Sequence, residues 1–242
     1  MMQRKDARSL LLSCVLGDGC LHNDRRLNQG KFNITHSQKQ EDYLVWKAEL
    51  LNKAFGSDCK VRPCKGGTAA QFQLSNNRFK AWHKFCYTSG VKDISKILRF
   101  IRHPELAVAI WLMDDGYVEP SINYKKPEKP LYGARLRLFT CSFPIDRQKE
   151  IISWFEENFD ISPKVKFQKR SKHHYVKTGP DFPFLQFNAV DSIKLWKVIR
   201  SLPLQFPSMQ HKFRHMETIY QRREAQRETP KQGDDIVGAY RK

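Results

Sequence analysis

The chain is predicted to be an α+β protein of two pseudo-symmetric αββαββα subdomains, each carrying an antiparallel sheet and one motif helix. Three observations predict this. First, Leu11-Leu12-Ser13-Cys14-Val15-Leu16-Gly17-Asp18-Gly19 is echoed by Val108-Ala109-Ile110-Trp111-Leu112-Met113-Asp114-Asp115-Gly116, and each is an apolar helical run stopped by Asp-Gly. Second, further echoes follow in the same order. Thr35-His36-Ser37 is matched by Thr140-Cys141-Ser142, and Phe79-Lys80-Ala81-Trp82 by Ile193-Lys194-Leu195-Trp196. The partners lie farther apart at each step, as a duplication with loop insertions requires, and residues 123–130 read as one insertion. Third, the strands alternate polar with apolar residues, so each sheet buries one face.

The first half opens with a helix over 6–16, for which Asp6 is a suitable cap. A polar hairpin follows, and within it Phe32 and Ile34 point one way while Lys31, Asn33 and Thr35 point the other. Tyr43, Trp46, Leu50, Leu51 and Phe55 fall close to helical spacing and predict a helix over 38–55. Strands over 59–64 and 70–75 precede a helix over 78–87. The second half begins at Pro104-Glu105, a favourable first helical turn. After the motif helix and the insertion come a strand over 135–140, a helix over 145–159, strands over 164–169 and 184–188, and a helix over 191–201. The expected units are 1–102, 103–221 and a charged, flexible tail over 222–242.

With 40% hydrophobic and 12% aromatic residues in 242, the chain has the composition of a globular protein. Forty-three Lys and Arg against 25 Asp and Glu leave a formal charge of +18, which attracts polyanions. No apolar run is long enough to span a bilayer, and the basic residues are spread over strands and loops rather than set on one amphipathic helix. Nucleic acid is therefore favoured over a membrane. The polar strand faces are rich in Lys, Arg, Gln and Asn, which hydrogen-bond base edges in a major groove wide enough for a two-stranded ribbon. In the first half the candidate DNA contacts are Lys31, Asn33, Thr35, Lys60, Arg62, Gln71, Gln73 and Ser75. In the second they are Arg135, Arg137, Lys164, Lys166, Gln168, Gln186 and Asn188.

Six cysteines form no C-x-x-C pair and have no histidines at zinc-finger spacing, so they read as reduced, structural thiols. Cys59 and Cys64 lack the second pair that zinc would need. The apolar stretch after Gln3-Arg4-Lys5 is too short for a secretory signal, and Asp18 interrupts it. A reducing, intracellular setting is expected, either a bacterial or phage cytoplasm or an organelle. His22, His36 and His211 have no His-Asn-His spacing around them and read as surface or phosphate contacts.

The two motif copies resemble those of the LAGLIDADG homing endonucleases, specifically the single-chain members with two subdomains in one polypeptide. The segment Ala109-Ile110-Trp111-Leu112-Met113-Asp114-Asp115-Gly116-Tyr117 is very close to the second motif of some of them, and the resemblance covers roughly residues 7 to 215. It implies motif helices packed side by side, the carboxylates of Asp18 and Asp115 meeting at the floor of a saddle over double-stranded DNA, and one cut in each strand. A long target, cleavage across the minor groove and short 3′ overhangs are implied as well. The glycine fixes the register, so the catalytic acid carried over is Asp115; Gly17 and Asp114 stand as secondary metal contacts. The resemblance also places a basic residue near the nucleophilic water in each half, at Lys92 and Lys212, with Lys96 the nearest competitor in the first.

Close helix packing needs small residues, and Ser13 with Gly17 gives the first copy a flat face. The matching Ile110 and Asp114 are larger, which predicts an asymmetric approach. Two carboxylates brought together repel, and oxygen ligands without a Cys or His cluster favour Mg²⁺, with Mn²⁺ as a substitute. The function expected is a Mg²⁺-dependent, site-specific double-strand DNA endonuclease acting in intron homing, as a monomer needing no protein partner. The alternative is an intron RNA maturase or a cleavage-dead DNA-binding protein on the same scaffold, for which two converging carboxylates have no use. A transcriptional regulator would want a helix-turn-helix segment, and none is seen.

Overall fold

The computed structural model describes residues 4–24, 29–125, 128, 131–169 and 181–228. Helix α1 (Arg4–Leu16) leads into an antiparallel hairpin of β1 (Cys20–Asp24) and β2 (Gln29–Ser37), then α2 (Glu41–Phe55), β3 (Arg62–Cys64), β4 (Ala69–Asn76) and α3 (Asn77–Cys86). A small hairpin, β5 (Tyr87–Thr88) with β6 (Val91–Lys92), and α4 (Ile94–Leu98) lead to the second half. There α5 (Pro104–Asp115) is followed by β7 (Gly116–Ile122), β8 (Leu131–Phe139), α6 (Gln148–Phe159), β9 (Lys164–Gln168), β10 (Phe182–Gln186), α7 (Ala189–Ile199) and α8 (Pro207–Glu228). The order αββαββα therefore occurs twice, around two four-stranded antiparallel sheets ordered β1-β2-β4-β3 and β7-β8-β10-β9.

The two motif helices lie at the centre. Residues 107–113 of α5 are all buried, as are Ser9 through Leu16 of α1, and helices apolar on every side belong inside a fold. They pack against each other. Each sheet then turns its apolar phase inward: Phe32, Ile34, Phe72 and Leu74 in the first, Ala134, Leu136, Leu138 and Leu185 in the second. Trp111 meets Phe143 edge to face at 5.7 Å, tying α5 to the second half.

Several expectations shift. The strand over 59–64 shrinks to Arg62–Cys64, because the Cys59 main chain is bonded to the Asn52 side chain, its N–H donating to Oδ1 at 3.1 Å and its carbonyl accepting from Nδ2 at 2.8 Å. Lys60 consequently stands exposed in the preceding loop. Phe167, expected to face inward with Val165, is 55% exposed on edge strand β9. The strand over 184–188 ends at Gln186, and Asn188 caps α7, its Oδ1 accepting the Val190 and Asp191 N–H groups at 2.9 and 2.8 Å. Asn188 is thus a helix cap and not a member of the sheet face. The tail also begins later than residue 222, since α8 continues to Glu228. Met209, Phe213, Met216 and Tyr220 line its buried stripe at helical spacing, Phe206 packs just before it, and Arg222 donates to the Leu131 carbonyl at 2.6 Å. Residues 229–242 and four residues of the 123–130 insertion lie outside the described residues.

Candidate active site

Both motifs end in glycine because a side chain would not fit. The Gly19 N–H turns back onto the Cys14 carbonyl at 2.8 Å, and a Cβ there would lie 2.5 Å from that oxygen. A Cβ on Gly116 would lie 2.2 Å from the Leu112 carbonyl. Neither glycine has a positive φ, so close approach and not a left-handed turn selects the residue. The chain doubles back over the helix end and leaves the preceding aspartate at the tip.

Gly17 marks the closest approach of the motifs. A Cβ on it would stand 2.3 Å from Asp114 Oδ2, and that oxygen accepts the Asp18 N–H at 3.1 Å. Gly17→Ala is therefore expected to push Asp114 aside, lowering stability by about 1–3 kcal/mol as overpacking does. A urea denaturation series compares it with Ser13→Ala, which removes only a hydroxyl bonded to the Ser9 carbonyl at 2.8 Å. The asymmetric approach anticipated from Ile110 and Asp114 takes this form.

Asp18 and Asp115 are electrostatic neighbours. Burial, then the charges of Asp18 and Asp114, push the Asp115 carboxyl up to about 7. Burial and the charge on Asp114 also raise Asp18, whose side chain remains 40% exposed. Among the described residues, no lysine or arginine forms an ion pair with either carboxylate, and the one ion-pair-distance partner of Asp18 is His36. Two carboxylates near enough for the charge of one to raise the other, neither ion-paired to a lysine or arginine among the described residues, fit a hard divalent ion.

Each half sends one lysine to the turn at its own motif. Lys92 Nζ donates to the Gly17 carbonyl at 2.7 Å. Lys212 Nζ donates to the Met113 and Asp114 carbonyls at 2.7 and 3.2 Å. Burial lowers both ammonium groups, and the nearby aspartates oppose that shift. Lys92 reaches its place on the β5–β6 hairpin, whose Ser89 and Gly90 both take positive φ, the geometry of a two-residue type I′ turn. Lys96 turns away, pairing with Asp93 at 2.9 Å on the surface. The Gly17 carbonyl, expected as a secondary metal contact, accepts from Lys92 and keeps a second lone pair.

Asp114 is also occupied. Its side chain is wholly buried, with Oδ1 accepting from Lys47 Nζ at 2.6 Å and from the Tyr43 hydroxyl at 2.9 Å. Burial opposes its charge, but Lys47 and His36 hold its carboxyl below the usual range. Asp114, His36 and Asp18 offer ligand atoms within 4.8 Å of one another, yet the Lys47 ammonium already occupies Asp114. His36 is no surface residue: it is 5% exposed, with Nδ1 3.4 Å from Asp18 Oδ2 and Nε2 3.2 Å from Lys47 Nζ. Burial and Lys47 pull its imidazole down to about 3, so it is neutral. Sequence reasoning missed Lys47 and misplaced His36. The signals were present, since His36 continues the buried phase of Phe32 and Ile34, and Lys47 lies on the buried stripe of α2 with Tyr43, Leu44 and Leu51.

The polar sheet faces form rungs. Register aligns His22 with Lys31 and Ser75, Cys20 with Asn33 and Gln73, and Thr35 with Gln71 and Arg62. In the second sheet Tyr117, Arg137, Gln186 and Lys164 share one rung, while Lys166 sits across from Phe184 and Gln168 from Phe182. Arg135 lies opposite Glu119. That glutamate, on a strand absent from the sequence reading, binds Arg137 in a two-pronged contact and accepts from Gln186 Nε2 at 2.9 Å. Arg137 also stacks over Phe184 at 4.8 Å. Two predicted contacts, Arg137 and Gln186, are therefore held in place by an acidic neighbour.

Comparison with known proteins bears on this geometry. The model of the LAGLIDADG DNA endonuclease family matches residues 8–181. A protein named RecA from Mycolicibacterium chitae is 33% identical over 206 residues, covering 84% of this chain and 45% of its own length. The chain spans between a quarter and just under half of the length of the curated relatives it matches. Among solved structures, the homing endonuclease I-WcaI bound to its DNA recognition sequence superposes with a TM-score of 0.58 at 19% identity, over 86% of this chain and 85% of that one. A variant of I-DmoI with its target DNA nicked in the coding strand, in the presence of manganese, gives 0.53 at 16% identity over 83% and 98%. At such identities the likeness is one of fold.

Proposed function

The chain belongs to the LAGLIDADG DNA endonuclease family, and from that premise we propose that it is a site-specific homing endonuclease, cutting one phosphodiester in each strand of a long duplex with Mg²⁺ and acting as a monomer. The observation that carries the reading is that two packed motif helices end at Asp18 and Asp115, with the charge of Asp18 raising the Asp115 carboxyl and no lysine or arginine ion-paired to either among the described residues. Asp18 and Asp115 would hold the cation, which lowers the pKa of a water and stabilises the leaving 3′ oxygen when bound. Lys92 and Lys212, fixed on the carbonyls beside the two aspartates, would polarise solvent or steady charge on the pentacovalent phosphate. Manganese accompanies the I-DmoI variant, which supports a divalent ion and leaves Mg²⁺ as our choice from the hard donor set.

The sheet rungs would lie along the DNA, with Lys31, Asn33, Gln71, Gln73, Arg135 and Lys166 reading base edges or phosphates. One polypeptide contains both halves, so no second copy is required for a double-strand cut. If roughly 6–10 phosphates are neutralised, affinity for a selected duplex should fall about 10³–10⁵-fold between roughly 50 and 200 mM salt. Fluorescence anisotropy measures this; a flat response counts against the saddle. The direct test is incubation with Mg²⁺ and a duplex selected from a randomised library. Tight binding with both strands intact would favour the cleavage-dead DNA-binding alternative.

A further inference from the structure

Among the described residues, the buried lysine behind Asp18 has no counterpart at Asp115. Lys47 Nζ lies 2.6 Å from Asp114 Oδ1 and 3.2 Å from His36 Nε2, and the side chains of Lys47 and Asp114 have no exposed surface. An ammonium group only donates, so Nε2 accepts and the proton of the neutral imidazole is carried on Nδ1. Nδ1 is the nitrogen facing Asp18 Oδ2, at 3.4 Å. Asp114 Oδ2 meanwhile accepts the Asp18 N–H at 3.1 Å. One buried ion pair thereby fixes the Asp18 main chain directly and its carboxylate through His36. Burying such a pair is a poor source of stability compared with apolar packing, which leaves its geometric role to account for it.

Among the described residues, the second half lacks each charged part. Gly17, the residue before Asp18, has no side chain to reach Asp115 as Asp114 reaches Asp18. By sheet register Thr140 stands where His36 does, since Arg137 faces Tyr117 as Asn33 faces Cys20, and it is an uncharged, buried group whose hydroxyl donates to Gln148 Oε1 at 2.6 Å. The buried residues of α6 are Gln148, Ile151, Trp154 and Phe155, with no charge among them.

We propose that Lys47 is a positioning residue that, through Asp114 and His36, fixes Asp18 and not Asp115, so that the two strand cleavages respond unequally to its loss. This rests on the endonuclease reading. Lys47→Met alone strands a buried carboxylate, so the test uses the neutral pair Lys47→Met/Asp114→Asn, whose asparagine can still accept the Asp18 N–H. Nitrogen-15 spectra of the free protein should show His36 protonated on Nδ1 in the wild type and moved toward Nε2 in the double variant. With Mg²⁺ and a duplex selected from a randomised library, each strand separately labelled, one strand should be cut about tenfold more slowly or worse, as outer-shell losses cost. The other should stay within about twofold of wild type, so nicked duplex accumulates. An unchanged His36 tautomer, or equal slowing of both strands, overturns the proposal. A wild-type chain that binds the duplex and cuts neither strand overturns the endonuclease reading, while the spectra still decide whether Lys47 sets His36.

Discussion

Asp18→Asn and Asp115→Asn should each abolish double-strand cutting, with a loss on the order of 10³-fold or more, equivalent to roughly 4 kcal/mol of transition-state stabilisation. The amide keeps the shape of the side chain and loses its charge, so a divalent cation would be held poorly where two carboxylates would hold it. Affinity for a selected duplex should stay within a few-fold of wild type, because the rungs that would contact DNA, such as Lys31 with Ser75 and Asn33 with Gln73, are untouched. Single-turnover cleavage of a labelled duplex and anisotropy in Ca²⁺ separate the two quantities. Cutting at the wild-type rate by either variant would remove that residue from the reaction. Lys92 and Lys212 bind carbonyls rather than the carboxylates, so their replacement by Met should slow cleavage less.

How much of this was legible follows the local character of each signal. The doubled Asp-Gly motif, the strand alternation and the order of elements are periodic features that sequence records directly, and the fold agrees with them. The placing of Lys92 and Lys212 near the two motifs comes from the family resemblance, with Lys96 the nearest competitor in the first half. What stayed hidden was tertiary. Lys47 sits on the buried stripe of α2, but a lysine there points to no partner, and only the arrival of Asp114 from α5 makes its burial tolerable. Glu119 could not be weighed because β7 follows the motif helix with no intervening loop, so its polar residues were not read as a strand. Asn188 has the composition of a DNA contact and the position of a helix cap, and its two hydrogen bonds to Val190 and Asp191 decide between them. Helix α8 was missed although Met209, Phe213, Met216 and Tyr220 carry its period, since the many charges around them masked the stripe.

Metal-free protein should lose stability as the pH rises from about 4 to about 7, and Asp115→Asn should remove much of that loss. The Asp115 carboxyl is raised from 3.8 to about 7 in the fold, chiefly by burial and then by the charge of Asp18. Across that window the folded chain keeps a proton that the unfolded chain has released. Stability therefore falls with pH until the folded group has ionised, and is level above that point. A shift of about three units corresponds to at most roughly 4 kcal/mol, and Asp18, raised in the same direction, adds to it. Asp115→Asn should thus be the more stable protein at pH 8 in EDTA and equal to wild type at pH 4. Groups lowered by their partners, such as Asp93 beside Lys96, are common to both chains and cancel in the difference. Saturating Mg²⁺ should close the gap at pH 8, because an ion that binds only the folded wild-type site stabilises it by mass action and relieves the repulsion. Urea midpoints at the two pH values, with and without the ion, measure all four corners. A variant no more stable than wild type at pH 8 would mean that Asp18 and Asp115 do not share one desolvated site.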